Sequence, residues 1–232
     1  MEILGLIHGE AVRAGVFADA IAARGHGLEE WSLAWGTPIP RPLDDYGAVI
    51  IFGGAMHADQ DEHHPWLRDE NMFLERLFHL GVPMLGVCLG AQLLAKAAHA
   101  PVFPASSPEI GWFEVELTDA AADDPVLGWL PGRFDAFQWH YYAHGLPGGA
   151  EELARSSVCT QAFRLGERVW GVQFHPEVTF AQVEQWIAEE PEAADGERLR
   201  AETRERIEDW NELGRRLCSA FVEAAERVAT PA

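Results

Sequence analysis

Three residues in this sequence, Cys88, His175 and Glu177, combine the types and settings that nucleophilic chemistry needs. Cys88 lies in Val82-Pro83-Met84-Leu85-Gly86-Val87-Cys88-Leu89-Gly90-Ala91-Gln92-Leu93-Leu94. The apolar run Val82 to Val87 reads as a strand whose usable part follows Pro83, and Ala91 to Ala98 reads as a helix. A cysteine where a buried strand turns sharply into a helix exposes its thiol beside unpaired helix N–H groups, which favour a thiolate and can face a developing oxyanion. Gly86 and Gly90 permit the tight turn. The second motif, 87 residues on, is Val169-Trp170-Gly171-Val172-Gln173-Phe174-His175-Pro176-Glu177. Its alternation is that of a strand delivering His175 near its end, with Pro176 fixing the backbone before Glu177. An imidazole can take the proton of Cys88 while a carboxylate orients its other nitrogen, the nucleophile–base–orienter logic of acyl transfer. Alone, the cysteine also suits a small buried apolar role, and His-Pro-Glu a structural or metal-binding one. Together the two motifs favour chemistry.

The elements that must position these residues read as an α/β fold: an open, mostly parallel sheet with helices on both faces, a nucleophile elbow, an antiparallel extension and C-terminal helices. Strands are expected at Glu2–Ile7, with His8-Gly9 at its carboxyl end, at Leu28–Leu33 and at Ala48–Phe52. Helices are expected from about 11 to 23 and over Trp66–Leu80. The carboxyl ends of such strands gather Gly53, Gly54 and Cys88 in one crevice. Ala100 to Pro108, with three prolines, reads as a turn-rich connection. Shorter strands follow at Gly111–Leu117, Arg133–Trp139, Ala154–Cys159, Gln161–Leu165 and Arg168–Phe174, with a helix or turn around Leu127–Leu130. Thr179 is the expected N-cap of a helix over Phe180–Glu189. From about 197 to 228 the spacing of Ile207, Trp210, Leu213, Leu217, Phe221 and Val228 predicts a helix with one apolar face, which Gly214 can interrupt. The expected organisation is one domain over 1–190 and a helical extension over 191–232 packed on it, its stripe alternatively serving a homodimer or a partner enzyme.

With these pieces in order, the sequence resembles the class I, or triad, glutamine amidotransferases. It carries their Gly-x-Cys-x-Gly-x-Gln motif as Gly86 to Gln92, their strand ending in small residues as Val49-Ile50-Ile51-Phe52-Gly53-Gly54, and their His-Pro-Glu. The small single-domain members resembling the glutaminase part of guanylate synthetase also share Ile110-Gly111-Trp112 and Gln138-Trp139-His140. The resemblance implies Cys88, His175 and Glu177 as the triad and the Gly54 and Leu89 N–H groups as the oxyanion hole. It implies Gly53, Gln92 and the His140, Tyr141 and Tyr142 turn as substrate contacts. Relatives tend to have a small and then an acidic residue where this chain has Tyr141 and Tyr142, a departure that could narrow the pocket or stack on an extended substituent. The implied activity is hydrolysis of the γ-amide of glutamine or a γ-glutamyl compound, through a glutamyl thioester, to a glutamyl product and ammonia or an amine. The alternatives are a glutaminase subunit feeding ammonia to a separate synthetase, and a silent binding or regulatory protein. No cofactor is implied.

Composition sets outer bounds. A formal charge of −20, from 37 acidic against 17 basic residues, disfavours nucleic acid and anionic membrane as partners. No stretch is long and apolar enough for a membrane span, the chain opens directly on a strand, and the expected location is the cytoplasm. The three cysteines, Cys88, Cys159 and Cys218, have no disulfide or metal-ligand spacing. His57, His63 and His64 lie among carboxylates, but a solvated loop over the crevice is the expected reading, with no metal assigned.

Overall fold

A computed structural model describes residues 1–229. In chain order its elements are β1 (Glu2–Leu6), α1 (Val16–Ala23), β2 (Gly27–Trp31), β3 (Tyr46–Ile51), α2 (Trp66–Leu80), β4 (Met84–Val87) and α3 (Leu89–Ala97). They continue as β5 (Val102–Leu117), β6 (Arg133–His144), β7 (Ala150–Arg155), β8 (Thr160–Leu165), β9 (Val169–Val172), α4 (Phe180–Glu189) and α5 (Gly196–Ala229). The nine strands form one sheet in the order β2-β1-β3-β4-β9-β8-β7-β5-β6. The first five are parallel, and β9-β8-β7-β5-β6 is the antiparallel extension.

Side chains of a strand alternate between faces, and the parallel strands divide their apolar residues accordingly. Ala48, Ile50 and Phe52 join Ile3, Phe17, Ile21 and the buried residues of α4 and α5 in one core. Val49 and Ile51 join Leu4, Leu6, Leu67, Leu74, Leu77 and Leu93 in the other. Helices α1, α4 and α5 therefore cover one face, and α2 and α3 the other. Among the described residues no helix is long and apolar enough to cross a membrane.

Four expectations need correction. Helix α1 starts at Val16 and not near residue 11, because Gly15 sits at φ +50 with no room for a side chain: a Cβ there would stand 1.9 Å from the Glu177 carbonyl oxygen. Residues 11–15 are instead a loop bordering the crevice. The stretch Ala100 to Pro108 is not a connection, since β5 begins at Val102 and pairs with β6 through a register shift between Pro104 and Glu109. Its prolines are tolerated because β7 reaches β5 only at Glu116 and Leu117, so the missing N–H groups leave no ladder broken on that side. Strand β6 continues past Trp139 to His144, so Gln138 to Tyr142 lie on a strand and not in a turn.

The fourth correction concerns α5, which runs 34 residues with no break at Gly214. Glycine is needed there for close approach: a Cβ would stand 1.9 Å from the Pro176 carbonyl oxygen. Around this crossing Trp210 Nε1 donates to the His175 carbonyl at 2.9 Å and Asn211 Nδ2 to the Val178 carbonyl at 2.7 Å. Trp210, Leu217 and Phe221 are buried in the chain's own core, so the apolar stripe is covered from within. In an ordinary helix Gly→Ala stabilises by about 0.5–1 kcal/mol. At Gly214 the sign reverses: Gly214→Ala is expected to lower the unfolding free energy by roughly 1–3 kcal/mol through overpacking. Its activity should fall as well, because the displaced backbone carries His175. A denaturant titration with an assay at a permissive temperature checks both, and an unchanged or raised midpoint contradicts the close-approach argument.

Candidate active site

Strand β4 and helix α3 are joined at Cys88 itself, whose φ of 53° and ψ of −109° are strained for a residue with a side chain. Its amide donates to the Val172 carbonyl on β9 at 2.8 Å, and its carbonyl accepts from Gln92 N at 3.1 Å. The bend requires both flanking glycines. A Cβ on Gly90 would lie 2.0 Å from the Ile51 carbonyl oxygen, and one on Gly86 would lie 2.5 Å from the Gly90 oxygen. The elbow is thus packed backbone to backbone against β3.

The β4–β9 pairing brings the second motif alongside. His175 follows β9, its amide donating to the Phe137 carbonyl at 2.9 Å. Its Nδ1 lies 2.8 Å from Glu177 Oε1, with His175 2% exposed and Glu177 fully buried. An ionised carboxylate only accepts, so Nδ1 carries the hydrogen and Nε2 is left for Cys88. The ring also stands edge-on to Trp186, centroids 4.8 Å apart. Burial alone would lower the His175 pKa. The Glu177 charge, the neighbouring Cys88 and the hydrogen bonds to both outweigh it, and the imidazolium pKa is pushed up to about 10. The fold therefore joins all three residues in one buried cluster.

The Gly53–Gly54 loop closes the site from β3. A Cβ on Gly53 would meet His175 Cε1 at 3.0 Å, and one on Gly54 would meet the His8 Cβ at 2.7 Å and Leu89 Cδ2 at 2.9 Å. Leu89 heads α3, where an amide has no carbonyl four residues back to bond. Two cavities meet here, of about 350 Å³ and 290 Å³, sharing Gly54, Ala55, Cys88, Trp139 and Glu190. Leu89, Gln92, His140, Tyr141 and Tyr142 line the first. The buried Gln92 donates from Nε2 to the Tyr142 carbonyl at 2.9 Å. Tyr142 stacks its ring on His57, centroids 4.0 Å apart, and Tyr141 donates its hydroxyl to Glu190 at 3.0 Å. The second cavity is bordered by His175, His8, Val12, Trp139 and Trp186.

Motif spacing missed several of these residues: His8 and Trp186 border the site, and Glu70 is bonded to His8 at 2.9 Å. The position of His8 at the carboxyl end of the first strand was the available signal. Trp186 gave none, because its role depends on how α4 folds back over the crevice.

The family model described as Glutamine amidotransferase class-I matches residues 19–190. The chain belongs to that family. A glutamine amidotransferase structure from Thermotoga maritima superposes with a TM-score of 0.87 at 29% identity, over 96% of this chain and 98% of that one. A glutamine-hydrolysing GMP synthase from Aeropyrum pernix is 40% identical over 64% of this chain and 27% of its own length. The gamma-glutamyl-L-1-hydroxyisopropylamide hydrolase of a Pseudomonas species is 33% identical over 60% of this chain and 49% of its own. The match thus spans a quarter to a half of those two relatives. The fold and the Cys88–His175–Glu177 cluster are consistent with glutamine-hydrolysing activity.

The other titratable groups of this amidotransferase sort themselves by burial. His57, His63 and His64 do not gather as metal ligands; among the described residues the gathered trio is Glu109, His140 and Cys159. There His140 Nε2 lies 3.0 Å from Glu109 Oε2, which also accepts from Gln161 Nε2 at 2.8 Å and from the Ser156 hydroxyl at 3.2 Å. Sequence spacing concealed this group because sheet pairing assembles it from β5, β6 and the segment before β8. Burial and the Glu109 charge push the Cys159 thiol up to about 12, and burial raises Cys218 as well. Both thiols stay protonated at neutral pH and are poor nucleophiles. An electrophilic glutamine analogue is therefore expected to add its mass at Cys88 alone, read by peptide mass spectrometry. Labelling mainly at Cys159 or Cys218, with activity retained in Cys88→Ala, would overturn the assignment.

Proposed function

We propose that this protein hydrolyses the γ-amide of glutamine or of a γ-glutamyl compound through a thioester on Cys88. The observation that carries the reading is the His175–Glu177 hydrogen bond set beside the Cys88 elbow, where two cavities meet. The Cys88 sulfur attacks the side-chain carbonyl, and the Gly54 and Leu89 amides receive the oxyanion. As the tetrahedral species collapses, the carbon–nitrogen bond breaks and His175 passes its Nε2 proton to the departing nitrogen. Water, deprotonated by His175, then attacks the thioester, releasing the glutamyl product and restoring the thiolate–imidazolium pair. Glu177 keeps the hydrogen on Nδ1 and stabilises the imidazolium. Gly53, Gln92 and the His140–Tyr142 strand form the side that receives the amino-acid end of the substrate. The reading needs no cofactor.

A second reading, a glutaminase subunit passing ammonia to a synthetase, is favoured by the likeness to the GMP synthase, most of whose length lies outside the match. A product screen of the purified chain against glutamine and a set of γ-glutamyl amides tests the first reading. The expected result is glutamate release without a partner. Release only after a synthetase is added would favour the subunit reading, and none under either condition would overturn both. His175→Ala should abolish turnover, and Glu177→Gln should lower kcat by roughly 10²–10⁴-fold. With the carboxylate gone, burial is opposed by Cys88 alone. The His175 pKa falls, and the basic limb of the pH profile moves to lower pH. An unmoved basic limb would contradict the role given to Glu177.

A further inference from the structure

The two cavities at Cys88 differ in what the reaction requires of each. His175 must reach the departing nitrogen, and it borders only the second cavity, whereas Gln92, Leu89 and Tyr142 border only the first. Resting on the hydrolytic reading above, we infer that the second cavity is a leaving-amine subsite, for γ-glutamyl amides whose amine has an apolar or aromatic body and carries no carboxylate. Ammonia needs almost none of its 290 Å³. Its walls are Trp139, Trp186 and Val12, and the Trp186 face is held in place by a bond from Nε1 to the Ala11 carbonyl at 2.8 Å. Aromatic walls of this kind hold an apolar group by area and a cation by the ring face.

The rim adds a charge criterion. Glu189 and Glu190 border the cavity and have neutral partners, the Gln185 amide at 2.8 Å and the Tyr141 hydroxyl at 3.0 Å. Glu10, the third carboxylate, is paired with Arg13 at 2.7 Å; no lysine or arginine borders the cavity, and the two imidazoles that do, His8 and His175, each face a buried carboxylate of their own, Glu70 and Glu177. An amine bearing its own carboxylate meets repulsion there, and a neutral or ammonium-bearing one does not.

Three matched γ-glutamyl benzylamides, with methyl, aminomethyl or carboxylate at the para position, test this against glutamine as reference. The methyl compound is expected to exceed glutamine in kcat/KM by about tenfold or more, the scale of added apolar contact in a pocket. The carboxylate compound should fall at least ~3-fold below the aminomethyl one, and Glu189→Lys combined with Glu190→Gln should narrow or reverse that ratio. Glutamine turnover with no benzylamide exceeding it, or a charge ratio unmoved by the double substitution, overturns the subsite alone. Inactivity toward all four compounds overturns the hydrolytic reading, and this proposal with it.

An independent observation concerns the other side of the nucleophile. His8 is buried, with Nδ1 2.9 Å from the Gly53 carbonyl oxygen and Nε2 2.9 and 3.1 Å from the two Glu70 oxygens. A carbonyl and a carboxylate both only accept, so both ring nitrogens donate and the ring is an imidazolium. The Gly53 oxygen and the Gly54 N–H belong to one planar peptide and point in opposite directions. Fixing the oxygen therefore aims the amide. We propose that His8, held by Glu70, is a positioning residue that orients the Gly54 oxyanion donor. Burial works against this protonated state, and Glu70 outweighs it.

Glu70→Gln keeps the shape and removes the charge. It is expected to lower kcat about 10–100-fold with KM for glutamine within ~3-fold, since an oxyanion donor acts in the transition state. Inhibition by a glutamine aldehyde, whose thiohemiacetal presents an oxyanion, should weaken by the same factor while binding of the product glutamate is unchanged. If that variant unfolds, His8→Asn with Glu70→Gln removes both charges together and supplies the same comparison. Unchanged kcat, or equal weakening of aldehyde and glutamate, overturns the assignment.

Discussion

The hydrogen bond from the Cys88 amide to the Val172 carbonyl fixes everything that follows in the site. It extends the parallel β4–β9 ladder, in which Gly86 pairs with Gly171 and Val87 with Val172, by one more residue. Parallel neighbours end at the same level, so Cys88 and the segment carrying His175 emerge side by side although the two residues are 87 positions apart. A slip of one residue would turn every side chain of either strand to the opposite face. Close contacts oppose that slip on both strands: on β4 a Cβ at Gly86 would stand 2.5 Å from the Gly90 oxygen, and on β9 one at Gly171 would stand 2.3 Å from Phe163 Cε1 of β8. The strain at Cys88 is the cost of holding a thiol at such a bend, and the surrounding close packing over-determines it.

Around that elbow the chain buries three histidine–carboxylate pairs: His175 with Glu177, His8 with Glu70, and His140 with Glu109. Buried ion pairs are weak contributors to stability, because desolvation consumes most of the attraction. Their value here is geometric and electrostatic. The first sets an oriented imidazole beside Cys88. The second holds the Gly53–Gly54 peptide. The third secures the strand behind the first cavity, where His140 also reaches the Tyr142 carbonyl at 3.0 Å. A protein with a formal charge of −20 thus buries only a few of its carboxylates, and three of them, Glu70, Glu109 and Glu177, each face an imidazole around the elbow.

How much of this was legible depended on the range of the interaction. The elbow, helix α2 over Trp66–Leu80 and the Thr179 N-cap are local patterns, and the structure reproduces them, whereas the strand expected to reach Phe174 ends at Val172. The prolines before Glu109 suggested a connection, because a sequence does not reveal which side of a strand lacks a neighbour. Gly214 suggested a break, because a glycine chosen for close approach and one chosen for flexibility look alike until the crossing segment is seen. Cys159 was scattered from His140 in sequence and joined to it only by the sheet. Trp186 and Val12 border the catalytic cavity through the fold-back of α4 and the loop that Gly15 terminates, contacts no motif encodes.

The family match ends at residue 190, yet α5 lies beyond it and bears directly on the chemistry. Trp210 bonds the His175 carbonyl, Asn211 bonds the Val178 carbonyl, and Gly214 lets the helix rest on Pro176. These contacts bracket the peptide that sets the distance from Glu177 to the imidazole. The Thermotoga maritima structure superposes on 96% of this chain, which leaves too few residues uncovered to omit a 34-residue helix. Most of α5 therefore has a counterpart in that relative. A carbonyl held by a buried indole keeps His175 from drifting along its own backbone, and a shift of even 1 Å at a reacting group is costly in rate.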